Sequence, residues 1–230
     1  MTTQSQLLLD IRSRIDEPST QFYSDTELRR WINQGVRDIA RRTESVQAVA
    51  NIPLVVGVQQ YTAPSDTNRI YRVEYITAAN QSHVLDYRDY NNSDSVWWTT
   101  QLTAQSTPAM WTAWGYPPAL KLVLYPIPSE TSTLRIFYYQ VPADLPIDGS
   151  TPNASVSLPA GREELVVDFA EYMALRKARD GRWQEAKALF DEKVQNMIDQ
   201  TRRWTDQAGS WDPDAVAGPL HPYIWDPGWA

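Results

Sequence analysis

The chain has 230 residues, 42% hydrophobic and 21% charged, with a formal net charge of −7, which suits a sizeable globular protein and excludes a disordered polymer. It has no cysteine, so disulfide frameworks, thiolate zinc sites and cysteine nucleophiles are excluded together. No run of about 18 apolar residues is present to span a membrane, and Met1, Thr2, Thr3 and Gln4 do not open a signal peptide, so folding in the cytoplasm is expected.

The acidic balance argues against a protein that grips nucleic-acid phosphates, because that grip needs clustered Lys and Arg. It permits a protein past which DNA slides without sticking. Ten Trp and twelve Tyr stand against only four Phe. Trp and Tyr carry a polar handle on an apolar body and suit surfaces that a partner covers.

Residues 4–15 place Leu7, Leu8, Ile11 and Ile15 on one face of a short helix. Ser24, Asp25, Thr26 and Glu27 then read as a capping box, with the Ser24 hydroxyl and the Glu27 carboxylate each serving the other's amide. The helix behind it buries Leu28, Trp31, Ile32, Gly35, Val36 and Ile39. Acids at its start and Arg41 and Arg42 at its end suit the helix dipole. From about Val46 to Pro142 the pattern is strands and turns. Residues 49–56, 60–64 and 70–76 read as strands, the last alternating at period two. Residues 86–107 read as a long polar and aromatic excursion. Residues 119–125 and 133–139 read as strands joined by a hairpin through Pro126 to Glu130.

Residues 143–160 read as a proline-rich loop back to helix. Leu165, Val166, Phe169, Tyr172 and Met173 follow helical spacing, which Asp180 and Gly181 interrupt. Trp183, Ala186, Phe190, Val194, Met197, Ile198, Thr201 and Trp204 mark one face of a long last helix. After Ala208 the periodicity stops and prolines forbid further helix. The predicted fold is therefore α+β: a four-helix bundle (1–45 and 158–208) with an inserted antiparallel β domain (46–157) and an extended, aromatic and Pro-rich C-terminal tail (209–230).

Catalytic chemistry is hard to place. His83 and His221 lie far apart and have no metal-ligand spacing. Nucleophile-elbow and phosphate-loop patterns are missing. Glu163 with Glu164, and Asp144 with Asp148, are acidic pairs of the kind glycoside hydrolysis uses, but the first pair falls in a helical first turn, where acids serve the dipole. The pairs Arg29/Arg30, Arg41/Arg42 and Arg202/Arg203 sit among acids and suit solvated helix faces or inter-subunit ion pairs. No enzyme, cofactor or metal is expected.

Four stretches together resemble the head-to-tail adaptor (head-completion or upper-collar connector) proteins of tailed bacteriophages, over roughly residues 5–205. The first is Leu7, Leu8, Leu9, Asp10, Ile11 and Arg12. The second runs from Tyr23 to Ala40 and is similar to the family pattern YSDxELxxWINxAxxxIA, with Gly35 where relatives often carry Ala. The third is Tyr61, Thr62, Ala63 and Pro64 leading to Arg69, Ile70, Tyr71, Arg72 and Val73. The fourth is Leu122 to Pro128, then Leu134 to Tyr139, then Val167, Asp168, Phe169 and Ala170.

The resemblance implies a virion structural protein in the neck, between head and tail. Its copies would form a ring, twelve-fold in the family, under the portal protein and above a downstream tail protein. The ring would extend the DNA channel without reading DNA sequence. The family's C-terminal extension often reaches the portal, so Trp211, Leu220, Tyr223, Ile224, Trp225 and Trp229 are the expected partner-binding anchors. Two other readings stand beside this one. One is a different tail or baseplate component, and the other is a carbohydrate-binding module using Trp97, Trp98, Trp111 and Trp114 as sugar platforms.

Overall fold

The computed structural model describes residues 2–17, 22–89, 105–159 and 161–209. Among them are four helices: α1 (Gln4–Arg14), α2 (Asp25–Thr43), α3 (Glu164–Lys177) and α4 (Trp183–Gly209). Ten strands lie between α2 and α3. They are β1 (Gln47–Leu54), β2 (Gln60–Thr62), β3 (Thr67–Ile76), β4 (Ser82–Val84), β5 (Asp86–Tyr87), β6 (Gln105–Ser106), β7 (Met110–Trp114), β8 (Lys121–Tyr125), β9 (Ile127–Pro128) and β10 (Ser132–Gln140). One sheet has the order β1-β10-β3-β4, a second β2-β8-β7-β5, and β6 pairs with β9 alone.

This is a β-rich α+β fold, which corrects the expected four-helix bundle with an inserted antiparallel β domain. The helices share a core but differ widely in length: α1 has 11 residues and α4 has 27, or about 16 Å against about 40 Å. An irregular segment shares in closing the helical core, to which Val156 and Leu158 contribute buried side chains and Leu145 a partly buried one. The strands are not uniformly antiparallel either, since β5 runs parallel to β7 and β6 parallel to β9. Of the tail expected over residues 209–230, Gly209 is the last residue of α4 and residues 210–230 lie outside the described residues.

The caps show how local chemistry sets the helix ends. Thr3 Oγ1 accepts from the Gln6 amide at 3.3 Å while Gln6 Oε1 accepts from the Thr3 amide at 2.9 Å, a complete capping box that satisfies two orphan donors. At α2 only half of the expected box forms. Ser24 Oγ accepts from the Glu27 amide at 3.2 Å, but the Glu27 carboxylate accepts from Lys177 Nζ at 2.6 Å instead. That acid therefore ties α2 to the end of α3.

The helical core is built from Leu7, Ile11, Leu28, Ile32, Val36, Ile39, Val166, Phe169, Phe190 and Val194, with their neighbours. Phe169 packs over Gly35, where an added Cβ would lie 3.1 Å from the ring. The ring has little room to retreat, since Tyr172 and Phe190 meet it at centroid distances of 4.9 and 5.5 Å. One buried carboxylate crosses this core's edge. Asp168, 4% exposed, accepts from Lys193 Nζ at 2.7 Å and from Arg14 Nη1 at 3.4 Å, so a single acid joins α1, α3 and α4.

The second core lies among the strands and is formed by Leu54, Tyr61, Val73, Tyr75, Trp111, Leu122, Leu124, Leu134 and Ile136. β10 keeps the period-two pattern, burying Leu134, Ile136 and Tyr138. β3 does not keep it. Arg72 faces Phe137 and Ile70 faces Tyr138, so Tyr71 is left over as a β-bulge that turns it and Arg72 to the same outer face. The expected hairpin through Pro126 also fails. β8 belongs to the second sheet, beside β2 and β7, and β10 to the first, beside β1 and β3.

Two substitutions test these packing statements. Asp168→Asn should lower stability by about 2 kcal/mol, the scale of lost hydrogen bonds to a charged group, read as a lower urea midpoint. Gly35→Val should destabilise by at least about 1 kcal/mol through overpacking against Phe169, read by the same titration.

Candidate interaction surfaces

The sequence-predicted anchors Trp211, Leu220, Tyr223, Ile224, Trp225 and Trp229 lie outside the described residues, as do Trp97, Trp98 and His221. The remaining candidates are placed. Trp111 is 4% exposed and belongs to the second core, so it offers no sugar platform, while Trp114 is half open at the end of β7. His83 sits exposed on β4.

The acidic pairs resolve into structural roles. Glu163 precedes α3, and its Oε2 accepts from the Gly161 amide at 2.8 Å. Its pKa is lowered: partial burial opposes the shift, and hydrogen bonds from its own amide, Gly161 and Thr2 outweigh that. Glu164 points elsewhere, toward Lys193 at 3.6 Å. Asp144 accepts from Arg37 at 2.7 Å, and Asp148 from the Ser150 amide at 2.9 Å. Neither pair converges on a common point. Among the described residues no group of three His, Asp or Glu side chains is placed to hold a metal ion.

What the surface does carry is adhesive. On the outer face of the first sheet, Tyr71 stacks on Tyr139 at 4.8 Å and lies 6.3 Å from Phe137. Val49 is opposite Phe137 and 56% exposed. Arg72 lies over Phe137 at 5.5 Å and Arg69 over Tyr139 at 5.3 Å, both within cation–π range of the ring centroids. Glu74, buried between Arg72 and Arg135, balances part of this charge. A groove of about 550 Å³ runs beside this face, lined by Ile70, Tyr71, Tyr87, Trp111, Ala113 and Leu120.

Residues 55–58 form a second apolar feature. Val55, Val56 and Val58 are exposed, yet the loop is pinned. The Tyr61 hydroxyl accepts from the Val55 amide at 3.0 Å and lies 2.9 Å from the Val58 carbonyl. The Gly57 amide donates to the Pro128 carbonyl at 3.0 Å, and Gly57 takes a φ of +78° that a side chain would resist. Burial pushes the Tyr61 hydroxyl above its ordinary value of 10.0 against the opposing Val55 bond, so it stays a donor at neutral pH. No period or motif in the sequence marks this loop, because the pin comes from a strand residue whose aromatic body belongs to the core.

Tyr61→Phe should free residues 55–58 at a cost of about 1 kcal/mol. Faster hydrogen exchange at the Val55 and Gly57 amides, with the rest of the pattern unchanged, is the expected result.

These features are exposed apolar and aromatic side chains held in fixed geometry, of the kind a partner covers. The chain matches the SU10 adaptor protein family over residues 2–217. No curated protein matches it. The match runs through both helical ends and all ten strands, and it agrees with the adaptor resemblance carried by the helix at Tyr23 to Ala40 and the strands that follow. The chain belongs to the SU10 adaptor protein family.

Proposed function

We propose that this bacteriophage adaptor acts as one subunit of a ring seated under the portal, joining head to tail and continuing the DNA channel. The family match over nearly the whole chain carries the reading. Exposed apolar and aromatic side chains on the strands support it, because a monomer gains nothing from leaving Val49, Val55, Val56, Tyr71 and Tyr87 in water. The family's ring is twelve-fold, and we adopt that number for this chain. DNA passes the ring without sequence readout, in keeping with the net charge of −7.

The residues beyond α4 supply the grip on the portal. Trp211, Leu220, Tyr223, Ile224, Trp225 and Trp229 are the anchors, and buried Trp and Tyr anchors contribute about 2 kcal/mol or more each. Repetition around a ring multiplies a modest contact into a firm one. The opposite side of the ring meets a downstream tail protein.

Electron microscopy of the protein mixed with its portal tests this reading. A ring capping the portal is expected, and deletion of residues 209–230 should leave a folded protein that no longer caps it. Free subunits beside bare portals would shift the assignment to a later tail component. Normal capping by the shortened chain would refute the anchor role.

A further inference from the structure

Most charged side chains on the helices are already spoken for. Arg12 pairs with Asp25, Arg14 with Asp168 and Glu171, Arg37 with Asp144, Arg42 with Asp38 and Asp191, and Lys177 with Glu27. Two sets stand apart. On α2, Arg30 and Arg41 are exposed and make no ion pair with the described residues. At about 100° per residue, Arg30, Gln34, Arg37 and Arg41 fall within about a quarter of the helix circumference. They form a basic ridge directed away from buried Leu28, Ile32 and Ile39.

On α4, Glu185, Glu192 and Asp199 are exposed and likewise lack an ion pair among the described residues. They recur every seven residues, about 10.5 Å of helix. Leu189, 50% exposed, and Asn196 lie in the same stripe. This ridge is directed away from Phe190, Val194 and Met197, which face the helical core. Arg37 in the basic stripe is held by Asp144 at 2.7 Å, so its free charges are Arg30 and Arg41, and the two ridges differ in sign. Each turns its back on the core they share, so they do not meet within one chain.

We propose that the two ridges are the two halves of the contact between neighbouring copies of this chain. The Arg30 and Arg41 ridge of one subunit packs along the Glu185, Glu192 and Asp199 ridge of the next, with Leu189 as the apolar contact between the charges. The halves are different patches of one surface, so the contact is head-to-tail and propagates into a ring when its rotation closes. The inference rests on the ring reading above and names the surface that builds it. Opposed charges favour this pairing and disfavour like-with-like pairing.

Charge reversal in the full-length chain tests it. The double variants Arg30→Glu with Arg41→Glu, and Glu185→Arg with Glu192→Arg, should each weaken subunit association by about 100-fold or more, read by native mass spectrometry and sedimentation velocity. Thermal melts of the monomers should match the parent, since exposed sites away from packing move stability little. The quadruple variant, carrying both reversals, should assemble again. Either double variant assembling like the parent, or a quadruple variant that stays dissociated, would overturn the inference while leaving the ring itself standing. A parent chain that assembles neither alone nor on portal rings would remove the ring reading and this contact with it.

Discussion

Two buried amide side chains hold the molecule's least regular part against its most regular one. Asn33 Nδ2 donates to the Leu145 carbonyl at 2.7 Å, and Asn33 Oδ1 accepts from the Leu145 amide at 3.1 Å. Gln4, with no exposed surface, donates to the Pro146 carbonyl at 3.2 Å and accepts from Arg29 at 2.7 Å. The backbone between β10 and α3 has no sheet to satisfy its polar groups, and unpaired buried groups are costly. Asn33 and Gln4 act as its surrogate ladder. With that segment in place, Val156 and Leu158 close the helical core, and α1 and α2 are free to present their other faces to solvent.

The same economy governs charge. The carboxylates near the helical core are engaged by cations from other elements: Asp168 with Arg14 and Lys193, and Glu27 with Lys177. Such pairs add little net stability beyond the cost of desolvating them, but they fix which helix lies beside which. Acids of the kind that could have run hydrolytic chemistry are thereby committed to holding elements together. The apolar features on the surface are held just as firmly, as the Tyr61 hydroxyl shows for residues 55–58. A surface preset in this way loses less entropy when a partner arrives.

Much of this was legible in the sequence. Ser24 and the buried face of α2 follow from capping and 3.6-residue periodicity, and β10 follows from the alternation of Leu134, Ile136 and Tyr138. The misreadings share one cause: each depended on a partner far away in sequence. Glu27 looked like half of a capping box until Lys177, 150 residues later, claimed its carboxylate. The strands at 121 and 132 looked like a hairpin, yet each found its neighbours in a different sheet. The bundle was inferred by counting amphipathic helices, and that count could not reveal that irregular backbone at Leu145 and Val156 would share in closing the core. Tyr71 stood in an alternating run whose register shift is set only by β10. The proposed anchors from Trp211 to Trp229 rest on composition and family resemblance alone.

The position of Lys193 along α4 has a mechanical consequence. Its bond to Asp168 sits partway along a 27-residue rod, and Gly209 lies sixteen residues beyond that fulcrum, about 24 Å of helix. Any tilt permitted at the fulcrum is magnified into sideways travel at the rod's far end, where the chain continues into its aromatic tail. A stiff joint at Asp168 therefore narrows the region from which residues 210–230 set out. In a symmetric collar, the same small angular tolerance would apply at every position, so one carboxylate would help set how closely the starting points keep their spacing.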